Sequence, residues 1–297
     1  MNTGAPAEIN LILIVVVSIV VFALLARMAL HLFLRVHVAE RIGRGHDAAL
    51  GIEYAGYFLG VLLIAGSVLD GIQGAGEAAG LSTGDWSSLI QAGAYGLFGI
   101  IALALFGRLG FRFLVRSDIV AGVRANNPAA GVVAAGGHVS TALVIAGALS
   151  GDSAGGDFIT ALVFVAIGLM GLWGVTYAHR FITSYDDATE ITNGNVAAAL
   201  SYAGMMVAIG IIVGHAINGD FTDYSTALRL CGRALLAVLI LYPVRQFIVQ
   251  GILVGGGFRL YGGKLDDEIS RDGNVGTGAV EAASYIAAAL LALQVGF

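Results

Sequence analysis

The chain has 297 residues, of which 58% are hydrophobic and 12% charged, with a mean hydropathy of +0.87. A soluble domain carries about a quarter charged residues, so this balance excludes a water-dissolved globule, and no segment between apolar runs is large enough for a nucleic-acid-binding domain. The single Cys231 excludes an internal disulfide and a cysteine metal cluster, 44 glycines against 3 prolines suit closely packed membrane helices, and the net charge of −5 gains meaning only when assigned to sides of a membrane.

The segment "MNTGAPAEIN" has no basic residue before the first apolar run, and Arg27 and Arg35 come late in or after it. It therefore does not read as a secretory signal, and the first helix is expected to be retained with its N-terminus outside. Runs long enough to cross ~30 Å of hydrocarbon at 1.5 Å per residue follow in order at Leu11–Leu34, Ala48–Leu69, Ser87–Gly110, Ala129–Ser150, Phe158–His179, Val196–Ile217, Ala234–Gly257 and Val275–Gly296. Their length and lack of strict alternation predict helices rather than barrel strands. The expected fold class is thus all-α, a polytopic membrane protein of eight transmembrane helices.

Loops after odd-numbered helices hold Arg35, Arg41, Arg44, Arg112, Arg116, Arg124, Arg180, Arg259, Lys264 and Arg271. The opposite loops "LDGIQGAGEAAGLSTGDWSS" and "SGDSAGGD" hold acids alone, and "NGDFTDYSTALRLCGR" breaks the pattern only with Arg229 and Arg233. The positive-inside rule then places both termini outside the cytoplasm and the basic loops within it. That is the topology of a multi-pass protein of a bacterial inner membrane.

Self-similarity organises the glycines. With Asp47, Asn127, Asn195 and Asn274 as position zero, Gly51, Gly131, Ala199 and Gly278 stand four residues on, and Ala55, Ala135, Ala203 and Ala282 eight on. Nine on come Gly56, Gly136, Gly204 and Ala283. Each even helix thus carries a small-xxx-small pair suited to tight contact in lipid. Fifteen residues before zero stand Arg112, Arg180 and Arg259, with Leu32 the exception; sixteen before, His31, Phe111, His179 and Phe258 alternate. Four two-helix units are expected, paired into two four-helix halves related by an axis along the membrane normal. The Asx at position zero is expected to cap its even helix.

The stretches "EITNGNVAAALSYAG" and "DDEISRDGNVGTGAVEAASYIAAAL" resemble the repeated signature of the bacterial membrane family called domain of unknown function 350. The resemblance implies two tandem copies, 8–152 and 153–297. In the first copy "GRGHDAALGIEYAG" has Asp47 in place of Asn, and "RANNPAAGVVAAG" contains Pro128. The company that family keeps in genomes, phage-shock-type peripheral membrane proteins and aminopropyltransferase-like enzymes, implies a peripheral cytoplasmic partner in an envelope-stress system. It supplies no catalytic residues.

Polar groups inside the spans are the functional candidates. Glu281, seven past Asn274, lies ~10 Å into its helix, and Glu53 reaches a similar depth. Arg245, after Pro243 in "LILYPVRQFIV", is costly at mid-membrane unless paired. It is expected to meet Glu281, or the carbonyl freed by the proline; Arg27 and Glu53 form the analogous candidate pair. Such pairs read either as structural ion pairs or as an ion relay. His31 and His179 read as interfacial anchors, and His138, deeper, as a hydrogen-bonded core histidine or a proton or metal group. With no HExxH, CxxC or carboxylate cluster, no metal site and no cofactor are expected.

Three functions follow from this. Same-orientation repeats around buried acids suit ion, proton or small-solute permeation; a rigid platform with a basic cytoplasmic face suits a scaffold; no Ser–Lys, His–Asp or paired-Asp arrangement supports an enzyme. A cavity reaching Glu53 or Glu281 favours transport, and a dry interior with every polar group tied off favours the scaffold. The expected partners are membrane lipids, a peripheral protein and a second copy of the chain packed through glycine-rich faces.

Overall fold

The computed structural model describes residues 17, 20–28, 38–79, 86–115, 117–150, 158–179, 181–218 and 224–295, and every element among them is helical. Among these described residues seven helices are long and apolar enough to cross a bilayer: Ala48–Leu69, Gly93–Arg112, Pro128–Leu149, Phe158–His179, Val196–Ala216, Leu228–Leu253 and Val275–Gln294. The expected span Leu11–Leu34 lies largely outside the described residues; within it, 20–28 are helical.

Four helices form the spine. These are α2 (Ala48–Ala79), α5 (Pro128–Leu149), α8 (Val196–Ala216) and α12 (Val275–Gln294), which lie side by side in chain order. Helices α3 (Trp86–Leu114) and α6 (Phe158–His179) pack over the first two seams of that row, and α9 (Tyr224–Val238) packs against α8 and α6. The windows of α5 and α8 are 72% and 78% buried and that of α6 only 33%, so α5 and α8 are the core and α6 keeps an apolar outer face, with Leu162 and Met170 exposed.

Small residues make the row possible, and the same contact recurs at each seam. A Cβ added at Gly136 would stand 2.6 Å from the Cβ of Ala203, and the Gly56–Ala135 and Gly204–Ala282 pairs are equally close. Near the helix starts, Gly131 lies against Ala49 and Gly278 against Ala197. Position nine of one helix therefore meets position eight of the next. Further along, Gly210 abuts Ser140, and Gly147 abuts Gly214. Such approach lets backbones exchange dispersion contacts where lipid offers no hydrophobic drive. Gly51 and Ala55, expected to pack helices, meet no partner helix among the described residues: no even helix precedes them, a Cβ at Gly51 would meet nothing there within 4 Å, and Ala55 is exposed.

At the basic end each spine helix is entered through a short helix that the hydropathy pattern does not reveal. The first three are α1 (Val38–Gly43), α4 (Ile119–Arg124) and α7 (Asp187–Thr192); the fourth is α11 (Lys264–Asp266), running into a π-turn at Asp267–Arg271. The next-but-last residue before each spine helix is left-handed in every case: His46, Asn126, Gly194 and Gly273 have φ of 49°, 57°, 87° and 61°. The Asx that follows caps the helix through Oδ1, from Leu50 N to Asp47 at 2.9 Å, Ala129 N to Asn127 at 2.9 Å, Ala198 N to Asn195 at 3.1 Å and Thr277 N to Asn274 at 3.2 Å.

The amide side of that Asx joins units. Asn127 Nδ2 donates to Ile191 O at 2.9 Å, and Asn195 Nδ2 donates to Ile269 O at 2.8 Å, each the end of the next short helix. Asp47 has no amide, and Arg41, paired with it, donates instead to Arg124 O at 3.3 Å. Replacing Asn127 with Ala is expected to cost about 1–2 kcal/mol through the lost cap and seam, read as a lower thermal midpoint in detergent. Asn127→Asp combined with Ala121→Arg, which copies the Arg41–Asp47 spacing, is expected to recover most of that loss.

Two boundaries differ from expectation. The span placed at Ala234–Gly257 begins earlier and ends sooner: α9 starts at Tyr224, so Arg229 and Arg233 are helical rather than in a loop, and the chain leaves the helix after Leu253. Gly255, Gly257, Gly262 and Gly263 take positive φ there, which ends helical geometry. After α10 (Leu241–Pro243) the chain widens into a π-helix, Val244–Leu253, because Pro243 cannot donate to the preceding turn. The other boundary is that of α2, which continues to Ala79, ten residues past the span into the segment read as a loop.

Candidate functional site

The spine buries two polar clusters, one in each half, and they differ in how closely each carboxylate is held. In the second half the π-helix turns Arg245, Gln246, Val249 and Gln250 inward together. Arg245 is fully buried; its Nε donates to Glu281 Oε1 at 2.5 Å and its Nη2 to Asp266 Oδ1. With its amide oxygen towards Arg245, Gln246 accepts from Nη1 at 3.2 Å and donates to Arg259 O at 3.2 Å. Asp266 also takes Ser184 N at 3.0 Å and the Ser184 hydroxyl, while Tyr285 OH donates to Glu281 Oε1 at 3.1 Å and lies 3.2 Å from His179 Nε2. Below the span, burial pushes the Tyr185 hydroxyl well above the usual tyrosine range. Gln250 fastens the connection, accepting from Leu265 N at 2.6 Å and donating to Gly256 O at 3.2 Å.

The partner expected for Arg245 is thus present, with two corrections. The proline-freed carbonyl plays no part among the described contacts, and a second carboxylate, Asp266, does. His179 is buried against Tyr285 rather than anchoring an interface.

The first-half cluster is built on α2, α3 and α5. Glu53, buried, accepts from Arg108 Nη2 at 3.3 Å and lies 3.5 Å from His138 Nε2. Tyr57 and Phe111 meet the His138 ring edge-on, with centroids at 5.3 and 5.5 Å. The expected pair Arg27–Glu53 does not occur: Arg27 is exposed, and Arg108 takes the role. Arg108 stands in the sequence as an arginine inside the third expected span, a position that Arg112, two residues beyond that span, does not share.

Both clusters bury polar atoms without a hydrogen-bond partner among the described residues: Glu53 Oε2, Tyr57 OH, Arg108 Nε and His138 Nδ1 in the first half, and Glu281 Oε2, His179 Nδ1 and Tyr185 OH in the second. Unmet groups in a low-dielectric interior are costly unless water or an ion serves them. A cavity of about 20 Å³, room for one water, is lined by Glu53, Arg108 and Arg124. Arg108 and Arg124 also line a second cavity of about 720 Å³ at the basic end. Among the described residues no group of three His, Cys, Asp or Glu side chains is placed to hold a metal ion.

Seven apolar spans around buried ion pairs define a multi-pass helical membrane protein of two tandem domains. The chain belongs to the family described as Domain of Unknown Function (DUF350), which matches it twice, over residues 2–149 and 153–295. Neither the comparison with curated proteins nor that with solved structures gives a match.

Proposed function

We propose that the protein moves a proton or small cation across a bacterial inner membrane, with Glu53 as the exchanging group and the Arg245–Glu281–Asp266 set as a fixed brace. Eight spans with both termini outside the cytoplasm complete this reading, which makes the basic end the cytoplasmic entrance. The observation that carries it is the cavity at Glu53, lined also by Arg108, two residues that each bury a polar atom without a partner, Glu53 Oε2 and Arg108 Nε. Its contacts of 3.3 and 3.5 Å are long enough to exchange, whereas Arg245 holds Glu281 at 2.5 Å. Held that closely by a guanidinium, Glu281 stays charged and makes a poor proton carrier.

One observation favours the scaffold instead. Beyond Thr141 the α2–α5 seam closes with buried Ile64, Val68, Val144, Ile145 and Leu149, so a carrier must open that layer to release its cargo. Proteoliposomes under a proton or cation gradient separate the two. Glu53→Gln is expected to reduce flux to background with the thermal midpoint nearly unchanged, while Glu281→Gln lowers the midpoint first. Absence of flux from the unsubstituted protein under any gradient would leave the scaffold.

A further inference from the structure

The larger basic-end cavity has a chemistry of its own. Its walls combine Arg108, Arg112 and Arg124 with the apolar Leu105 and Leu109, and its only acid is Asp118. Asp118 is committed as the cap of α4, accepting from Ala121 N at 2.9 Å. Among the described residues no acid lies within ion-pairing distance of Arg112 or Arg124, and Arg108 keeps Nε buried without an acceptor while Nη2 reaches Glu53. The concavity therefore holds an excess of positive charge that the protein does not balance.

Its position is as informative as its charge. Arg112 ends its span and Arg108 lies four residues inside it, ~6 Å at 1.5 Å per residue. Leu105 and Leu109, on the same helix and about two turns and one turn nearer the membrane middle than Arg112, are 41% and 44% exposed and face outward. Guanidinium groups at the boundary above an exposed aliphatic strip match a molecule with an anionic head and hydrocarbon tails. Arginine forks bind phosphate oxygens in pairs, and basic pockets between membrane helices select anionic headgroups. A cavity in the second half, near α7, is lined among the described residues by Tyr177, Phe181 and the segment from Thr183 to Asp187, which includes the acids Asp186 and Asp187.

We infer that this cavity binds the phosphate of an anionic phospholipid, gripped by Arg112 and Arg124 and touched by Arg108, with its acyl chains along Leu105 and Leu109. The site stands whether or not the protein conducts ions. Because Arg108 also holds Glu53, the occupied site is coupled to the first-half cluster.

The full-length protein in detergent, titrated with phosphatidylglycerol, phosphatidylcholine or inorganic phosphate, tests it by thermal midpoint and by native mass spectrometry. Phosphatidylglycerol is expected to raise the midpoint saturably and to remain bound, with no such response to phosphatidylcholine. The double variant Arg112→Gln/Arg124→Gln, whose exposed side chains support no internal contact, is expected to keep its lipid-free midpoint and lose the shift. A matching shift with inorganic phosphate would keep the anion site and assign it to a soluble phosphate. Equal shifts from both lipids, or a shift undiminished in the double variant, would overturn the inference. Should the double variant have a lowered lipid-free midpoint, the single variants Arg112→Lys and Arg124→Lys decide, since charge is kept and only the fork is lost: an unweakened lipid shift in both then counts against the site.

Discussion

Arg245→Met is expected to be the most damaging single substitution outside the helix seams. Methionine fills much of the space but leaves Glu281 and Asp266 facing one another, both buried, with their shared cation gone. Removing one member of a buried ion pair costs about 3–5 kcal/mol, against a total stability of only about 5–15 kcal/mol. The midpoint should fall by roughly 6–20 °C at 2–4 °C per kcal/mol, measured by thermal unfolding of purified protein in detergent. The triple variant Arg245→Met/Glu281→Gln/Asp266→Asn separates charge from packing. With no charge left unpaired, it should regain most of the midpoint, because replacing a whole buried ionic set is often nearly neutral. If the triple variant is as unstable as the single one, the brace acts through shape and the electrostatic account fails.

Gly136→Val should come close to that effect by a different route. Gly136 is where the second spine helix meets the third, the seam between the two family-matched halves. An added Cβ would lie 2.6 Å from Ala203 Cβ and 2.9 Å from its Cα, and a backbone cannot move aside as a flexible side chain can. Overpacking a tight core costs about 1–3 kcal/mol and occasionally more, and here the strain is transmitted along the row. Gly51→Val supplies the control, since nothing lies within 4 Å of its added Cβ; its midpoint should move little. Partial recovery in Gly136→Ala/Ala203→Gly would establish the contact as the cause. Equal damage at Gly51 and Gly136 would mean that helix propensity, not the seam, sets the cost.

The two clusters suggest a division of labour between halves built from related sequence. In the second half a π-helix and a glycine-rich connection bring two acids and a run of amides onto one guanidinium. In the first half the corresponding connection leaves Arg108 near the surface, with a looser hold on Glu53 and a cavity beside it.

Much of this was legible in residue order because it depends on local chemistry. Apolar run length determines which segments cross lipid; an Asx just before an apolar helix can satisfy free N–H groups within its first turn; glycine and alanine at spacings of four and five mark a stripe whatever lies opposite. What residue order did not decide is which groups meet across the bundle. Arg27 and Arg108 both sit inside expected spans, and only the placement of α3 over α2 and α5 gives Glu53 to Arg108. Asp266 reads as a loop acid until the glycines after Leu253 fold it back beneath Arg245. Sequence distance carries no record of such approaches, because a buried charge is held by whatever partner the packed backbones bring within ~3 Å, and that is a property of the assembled bundle.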